Sequence, residues 1–181
     1  MRRALFTFAA VWAVTAASLA LPVVAAAQKV VSTTPGKGGS PHETVEYKVG
    51  AATVTLTYGR PSLKGRGLDT LAPVGKVWRT GADEATTLKT DQALRIGSLA
   101  VPAGSYTLYT LPAASGWQLI VNKQTGQWGT VYQEGMDLGR VPMTTGTLPS
   151  PAEQLTVAVV GPNLEVHWGT VKQSVPVSAA P

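Results

Sequence analysis

The residues best suited to bind a ligand lie in one irregular stretch, residues 58–85 (YGRPSLKGRGLDTLAPVGKVWRTGADEA), called here the central loop. Together with the position just past its end, it holds six of the chain's fifteen Lys and Arg residues: Arg60, Lys64, Arg66, Lys76, Arg79 and Lys89. An arginine guanidinium binds a carboxylate, phosphate or sulfate through paired hydrogen bonds. Glycines in such a loop let backbone N–H groups approach an anion closely. The composition therefore predicts an anion-binding or sugar-acid-binding loop.

The predicted ligand-binding set comprises seven residues of this loop: Arg60, Lys64, Arg66, Trp78, Arg79, Thr80 and Glu84. For the loop by itself, an architectural role is favoured over ligand binding, since long irregular loops are often functional but not always. In that interpretation Arg79 pairs with Glu84 or Asp83, and Trp78 anchors the loop to the core. Removing one partner of such a pair would then destabilise the fold rather than abolish ligand binding.

Aromatic side chains offer a second type of ligand surface, a platform on which a sugar ring could stack. Alternation within predicted strands assigns Tyr106, Trp117 and Trp168 to the core. Trp128 and Tyr132 lie in a glycine-rich segment and are therefore the better candidates for exposure.

Groups that could perform catalysis are sparse. Neighbouring residues of an extended chain point in opposite directions, so Asp83 and Glu84 are not expected to act together as acid and base. With only two histidines, His42 and His167, and no cysteine, the chain shows no ordinary zinc-site pattern. It also lacks a nucleophile elbow, a P-loop and a dinucleotide fingerprint. We predict no cofactor and no metal; a hydrolase using Glu84 beside Arg79 is the least favoured alternative.

The N-terminus has the pattern of a secretory signal peptide. Arg2 and Arg3 precede an apolar run, and three alanines at 25–27 supply small residues for cleavage. We predict a signal peptide over 1–27 and a periplasmic or extracellular mature protein without stable membrane insertion. An uncleaved membrane anchor is the alternative. The absence of cysteine excludes a lipid anchor at the cleavage site and a disulfide framework.

The charge of the mature chain argues against nucleic acid as a partner. Removing Arg2 and Arg3 from the fifteen basic residues leaves thirteen against ten acidic ones, a net charge of +3. A nucleic-acid binder would show a denser basic stripe.

Short alternating segments bounded by glycine and proline predict strands at 53–58, 85–90, 93–96, 105–111, 117–122 and 155–177, the last interrupted by turns at 161–163 and 169–170. The strand at 105–111 is apolar on both faces and is expected to be central.

Residues 28–41 are rich in Ser, Thr, Gly and Pro and are predicted to be a flexible lead-in. Pro176 cannot donate to a ladder, which predicts an edge position for the last strand. The whole predicts an all-β protein, with a single antiparallel β-sandwich or jelly-roll-like domain over 42–178.

Four sequence blocks occur here in the same order as in one bacterial family: YGRPSLKGR (58–66), GKVWRTGADEA (75–85), VPAGSYTLYTLP (101–112) and the W…IVNK…WG series (117–129). On these blocks the chain resembles the bacterial domain of unknown function 2911 family, from about Ser40 to Val177. The resemblance implies an exported β-rich protein and transfers no catalytic residue. The family's usual form looks like SRPS and RTGANEA, whereas this chain has Gly59 and Asp83 at those positions.

The sequence thus favours an exported, non-enzymatic binding module for a small anionic or sugar-like ligand at the central loop. The alternative from a different class is a structural or interaction domain that pairs with a partner through an edge strand at Val171–Val177.

Overall fold

In the computed structural model, described over residues 28–180, the chain forms eleven strands and two short helical segments. The helical segments are α1 (Leu68–Leu71) and a 3₁₀ turn (Glu134–Met136). The strands are β1 (Gln28–Pro35), β2 (Pro41–Val49), β3 (Ala52–Gly59), β4 (Thr87–Thr90), β5 (Leu94–Ile96), β6 (Leu99–Val101), β7 (Gly104–Leu111), β8 (Gln118–Asn122), β9 (Asp137–Pro142), β10 (Thr144–Val160) and β11 (Asn163–Ala179). The predicted signal peptide, 1–27, lies outside the described residues. Within residues 28–180, no helix has the length and apolarity needed to cross a membrane.

The strands build two antiparallel sheets that enclose one hydrophobic core. The larger sheet has the order β1-β2-β3-β4-β7-β8-β9, and the smaller has the order β10-β11-β5-β6. Alternating side chains from both sheets fill the core, among them Val54, Leu56 and Tyr58 of β3 and Leu164 and Val166 of β11. The predicted all-β sandwich is confirmed.

Strand β7 occupies the position that its composition predicts. It lies between β4 and β8, and the residues from Tyr106 to Thr110 are all buried, so both faces of the strand are covered. The glycine-rich segment 126–139 forms no long helix; the 3₁₀ turn is its one helical element.

Residues 28–41 differ from the predicted flexible lead-in. Gln28–Pro35 forms β1, which pairs antiparallel with β2 from Gln28↔Tyr47 to Pro35↔Pro41. All eight residues of β1 are exposed, so the strand is held by its ladder with β2 rather than by burial. A strand that is exposed on both faces needs no apolar side, so its sequence shows no alternation of apolar and polar residues.

The edge position predicted for the last strand is wrong. Strand β11 lies between β10 and β5. The pairing with β10 extends to Ser174, and the pairing with β5 begins at Val177. Pro176 falls between these two ladders, where its missing N–H breaks neither of them. Within the described residues, Val171–Ser174 pairs with β10 and Val177 pairs with β5.

Strand β11 also reverses direction, as predicted from Gly169-Thr170. The Val177 N–H donates to the carbonyl of Pro162 at 2.7 Å. Fifteen extended residues span about 50 Å, so this bond requires a fold-back between them. Gly169 has a φ of 57°, a left-handed conformation that suits such a reversal.

Two core tyrosines have raised pKa values. Tyr47 and Tyr58 are almost fully buried in the larger sheet. Burial, followed by the negative charge of Glu43, raises the pKa of Tyr47 to about 12 and that of Tyr58 well above its ordinary value. In both cases the folded protein favours the neutral phenol.

The buried tyrosines predict an alkaline limit to stability. An unfolded tyrosine ionises near pH 10, whereas the folded pKa of Tyr47 is higher. The stabilisation is therefore complete below pH of about 10 and is lost as the pH rises from about 10 to about 12. Denaturant titrations across this range, with tyrosinate absorbance recorded in parallel, measure the loss. A Tyr47→Phe variant should show a shallower decline, and an unchanged decline would contradict the assignment.

Candidate functional site

The central loop is ordered by backbone contacts to three separate parts of the sandwich. Isolated bridges join Ser62 to Gln154, Trp78 to Thr110, and Glu84 to Trp128. The Leu63 N–H also donates to the Glu153 carbonyl at 2.9 Å. The loop thus has fixed neighbours, although it contains only one turn of helix.

A cleft of about 330 Å³ opens against this loop, and we call it the basic cleft. Its walls include Gly38, Ser62, Lys64, Arg66, Arg79 and Asp83. Three of the seven predicted ligand-binding residues, Lys64, Arg66 and Arg79, are therefore brought together. Within residues 28–180, none of these three cations lies in an ion pair with a carboxylate.

Main-chain carbonyls orient two of these cations. Arg66 donates from Nε to the Leu63 carbonyl and from Nη2 to the Ser62 carbonyl, each at 2.9 Å. Arg79 donates from Nε to the Gly81 carbonyl at 3.0 Å. Carbonyl acceptors fix the guanidinium groups without neutralising them, so their positive charge remains directed at the cleft.

Arg60 lies outside the basic cleft and connects the two sheets. Its Nη1 lies 3.3 Å from Glu43 Oε1, in an ion pair that is mostly buried. Its Nε donates to the Leu155 carbonyl at 3.1 Å, and its Nη2 to Thr156 Oγ1 at 3.2 Å. Every nitrogen of the guanidinium thus has a partner from β2 or β10, which is an architectural arrangement.

Thr80 and Trp78 are also held by the interior. Thr80 is fully buried, has a φ of 54°, and donates from Oγ1 to the Trp78 carbonyl or to Thr110 Oγ1. Trp78 stacks on Trp168 with ring centroids 5.3 Å apart. Its exposed edge, 9% of the residue, does not reach the basic cleft.

Glu84 belongs to a neighbouring ionic cluster that also contains Lys37, His42 and Asp83. The Glu84 carboxylate lies 2.9 Å from Lys37 Nζ and 3.7 Å from His42 Nε2, and His42 Nε2 lies 3.2 Å from Asp83 Oδ2. The hydrogen bond from Lys37 lowers the pKa of Glu84. The pairing of Arg79 with Glu84 or Asp83, weighed as the alternative above, is not formed.

A histidine beside two carboxylates is a donor set that divalent metals accept, and these atoms lie within 4.8 Å of one another. Here the donors already have partners in the protein. Lys37 holds Glu84, and the Gly38 N–H donates to Asp83 Oδ2 at 3.1 Å. The cluster is therefore an ion-paired latch between the β1–β2 turn and the central loop. Sequence reasoning missed it, because Lys37 and Gly38 lie in the segment assigned as a flexible lead-in.

Close backbone approach explains the glycines around this latch. A Cβ on Gly38 would lie 2.2 Å from Asp83 Oδ1, and a Cβ on Gly59 would lie 2.3 Å from the Ala82 carbonyl oxygen and 2.9 Å from His42 Nε2. Gly59 and Asp83 thus lie at the same histidine ring, that of His42. Asp83 has a φ of 63°, a conformation that Asp and Asn tolerate better than most residues.

Gly59→Ala is expected to lower the free energy of unfolding by about 1–3 kcal/mol, since the new Cβ meets a backbone oxygen that cannot move away freely. Gly135→Ala is the matched control, because a Cβ there meets no atom within 4 Å. The control should change stability by less than about 0.5 kcal/mol. Equal unfolding midpoints for the two variants in denaturant would contradict the close packing at Gly59.

A second cleft, of about 310 Å³, also has Arg79 in its wall, and we call it the aromatic cleft. Its walls include Val77, Trp78, Arg79, Tyr109, Thr130 and Tyr132. The rings of Tyr109 and Tyr132 meet edge to face, with centroids 4.9 Å apart. Both clefts therefore have Arg79 in their walls.

The Tyr132 hydroxyl is held on the protein side. It donates to Asp137 Oδ2 at 2.7 Å and accepts from Arg140 Nη2 at 2.8 Å. Burial, and then the bond to Asp137, raises the pKa of Tyr132 to about 12. The phenol is neutral near pH 7, and its fixed hydroxyl holds the ring in place at the cleft.

The aromatic residues divide largely as predicted. Tyr106 and Trp168 are buried, and Trp117 is partly buried against the core. Trp128 is 39% exposed, and Tyr132 is half-buried at the aromatic cleft.

These features define a class: an all-β sandwich in which one ordered loop separates a basic cleft from an aromatic one. The chain belongs to the family described as "Protein of unknown function (DUF2911)", which matches residues 40–177. The resemblance inferred from the four sequence blocks is confirmed. Neither the comparison with curated proteins nor that with solved structures gave a match.

Proposed function

We propose that this protein is a non-enzymatic binding module, exported to the periplasm or the cell exterior, that binds a small oxyanion-bearing ligand in the basic cleft. The observation that carries the proposal is the convergence of Lys64, Arg66 and Arg79 on one cleft, where none of the three forms an ion pair with a carboxylate of residues 28–180. The signal-peptide pattern of residues 1–27 supports the export.

Arg79 is the central ligand-binding group. It is only partly exposed, so hydrogen bonds from its free Nη atoms to an anion would be formed in a partly desolvated site. Its aliphatic part packs over Gly129, where a Cβ would lie 2.7 Å from Arg79 Cδ. A guanidinium fixed in this way loses little side-chain entropy when a ligand binds.

Asp83 also lines the basic cleft and carries the opposite charge. Its Oδ2 accepts a hydrogen bond from the Gly38 N–H and lies 3.2 Å from His42 Nε2. These partners hold the carboxylate on the wall of the cleft. The Glu153 carboxylate lies nearby and accepts a hydrogen bond from the Lys64 N–H at 2.8 Å, but Glu153 does not line the cleft. The lining residues therefore carry three cations against one carboxylate, a balance that favours an anion.

A hydrolase using Glu84 has less support. Glu84 is not among the residues that line either cleft. Lys37 lowers the pKa of Glu84, whereas a general acid working near pH 7 requires a raised one.

The test is calorimetric titration of the protein with sulfate, phosphate and acetate. Arg79→Ala should weaken the binding of these anions by about 10–100-fold, the loss of a hydrogen bond to a charged group. Lys76→Ala is the control, since Lys76 is an exposed cation of the same loop that lines neither cleft. Lys64→Ala serves as a second binding variant should Arg79→Ala fold poorly.

Equal affinities in wild type, Arg79→Ala and Lys64→Ala would overturn the proposal, as would the absence of anion binding by the wild type. A loss shared by Lys76→Ala would point to general charge attraction, and would also count against a defined site.

A further inference from the structure

We infer that the ligand is an acidic sugar, whose carboxylate, sulfate or phosphate group lies in the basic cleft while its ring lies in the aromatic cleft. This inference rests on the proposed function and names the ligand class of the same site. Arg79, which contributes to the walls of both clefts, is the residue that joins the two parts.

Backbone contacts fix the two clefts relative to each other. The Gly129 N–H donates to the Asp83 carbonyl at 2.8 Å, and the Ala85 N–H donates to the Gln127 carbonyl at 3.1 Å. These bonds join the segment behind the aromatic cleft to the loop behind the basic cleft. A ligand that spans Arg79 therefore meets a preorganised surface.

The aromatic cleft has the groups that a sugar requires. Tyr132 supplies the accessible aromatic surface, since Tyr109 lines the cleft but is only 1% exposed. The exposed Thr130 supplies a hydroxyl that donates or accepts. A sugar ring packs its C–H face on an aromatic ring and hydrogen-bonds at its edge. The volume of about 310 Å³ lies at the lower end of the range for small-molecule sites.

Neither half of the ligand alone accounts for the site. A bare oxyanion would pair with Lys64, Arg66 and Arg79 but leave the aromatic cleft empty. An uncharged sugar would fill the aromatic cleft and leave the three cations balanced only by Asp83. A sugar that carries an anionic group satisfies both.

The experiment compares three probes by calorimetry: glucuronate, glucose and acetate. Glucuronate is expected to bind at least about tenfold more tightly than either of the others. Tyr132→Ala should reduce glucuronate affinity to that of acetate while leaving acetate binding unchanged. Lys64→Ala should weaken both. Val131→Ala, which alters an exposed neighbour that does not line the cleft, is the control and should bind glucuronate like the wild type.

The outcomes separate the two proposals. Acetate binding with no gain for glucuronate would overturn the acidic-sugar inference and leave the anion-binding module standing. Glucose binding as tight as that of glucuronate would also overturn the inference. No binding of any probe would overturn both. Since Tyr132 contacts Asp137 and Arg140, Thr130→Ala provides a second variant, and full glucuronate affinity in both variants would count against the inference.

Discussion

Trp78→Ala is expected to lower the free energy of unfolding by about 3–5 kcal/mol, the range for removing a large buried aromatic side chain. Trp78 lies in an irregular loop, yet its ring stacks on Trp168 at 5.3 Å and meets Trp117 edge to face at 6.2 Å. Its backbone exchanges two hydrogen bonds with Thr110, at 2.7 and 2.9 Å. Truncation would leave a cavity between the two sheets, because the indole is the central ring of this group of three.

Urea denaturation measures this loss, and the melting temperature should fall by about 10 °C. Trp128→Ala is the matched control, because that indole is 39% exposed. It should lower stability clearly less than Trp78→Ala does, because a much larger part of its side chain is already in water. Similar losses in the two variants would show that the tryptophan group is not the anchor of the loop.

Arg60→Ala is expected to cost about 3 kcal/mol, the lower end of the range for breaking a buried ion pair. The change leaves the mostly buried Glu43 without its cation. It also removes the donors to the Leu155 carbonyl and to Thr156 Oγ1, both on β10. The destabilisation follows from unsatisfied groups between the sheets rather than from lost ligand contacts.

Arg66→Ala is the control for Arg60→Ala, since Arg66 is exposed and hydrogen-bonds only carbonyls of its own loop. Its effect on stability should be below about 0.5 kcal/mol, although it should weaken anion binding. Adding Glu43→Gln to Arg60→Ala should recover part of the loss, because the uncompensated charge is removed. Equal stabilities for Arg60→Ala and Arg66→Ala would contradict the division of roles between the two arginines.

The division between Arg60 and Arg79 shows where sequence reasoning reached its limit. Both are arginines of the same loop, and their local sequences give no reason to assign them different roles. The difference lies in distant residues. Glu43 and β10 supply the partners of Arg60, whereas the side chain of Arg79 donates to the Gly81 carbonyl of its own loop and packs against Gly129.

The ionic cluster around His42 also shows what sequence reasoning could not predict. The turn at 36–39 has a composition typical of a flexible segment. Its order depends on the ladder between β1 and β2 and on the contacts of Lys37 and Gly38 with the central loop. Such contacts join residues more than forty positions apart, and no periodicity in the local sequence indicates them.

By itself, the sequence determined the features that depend on local pattern. Alternation placed the central strands and their buried faces, the glycines positioned the turns, and the four sequence blocks identified the family. The tertiary structure alone decided which side chains of the central loop face a cleft and which hold the sheets together. It also decided that Pro176 lies inside a sheet rather than at its edge. The physical reason is that charge pairing and strand order depend on partners supplied from distant positions, and only the folded chain brings those partners together.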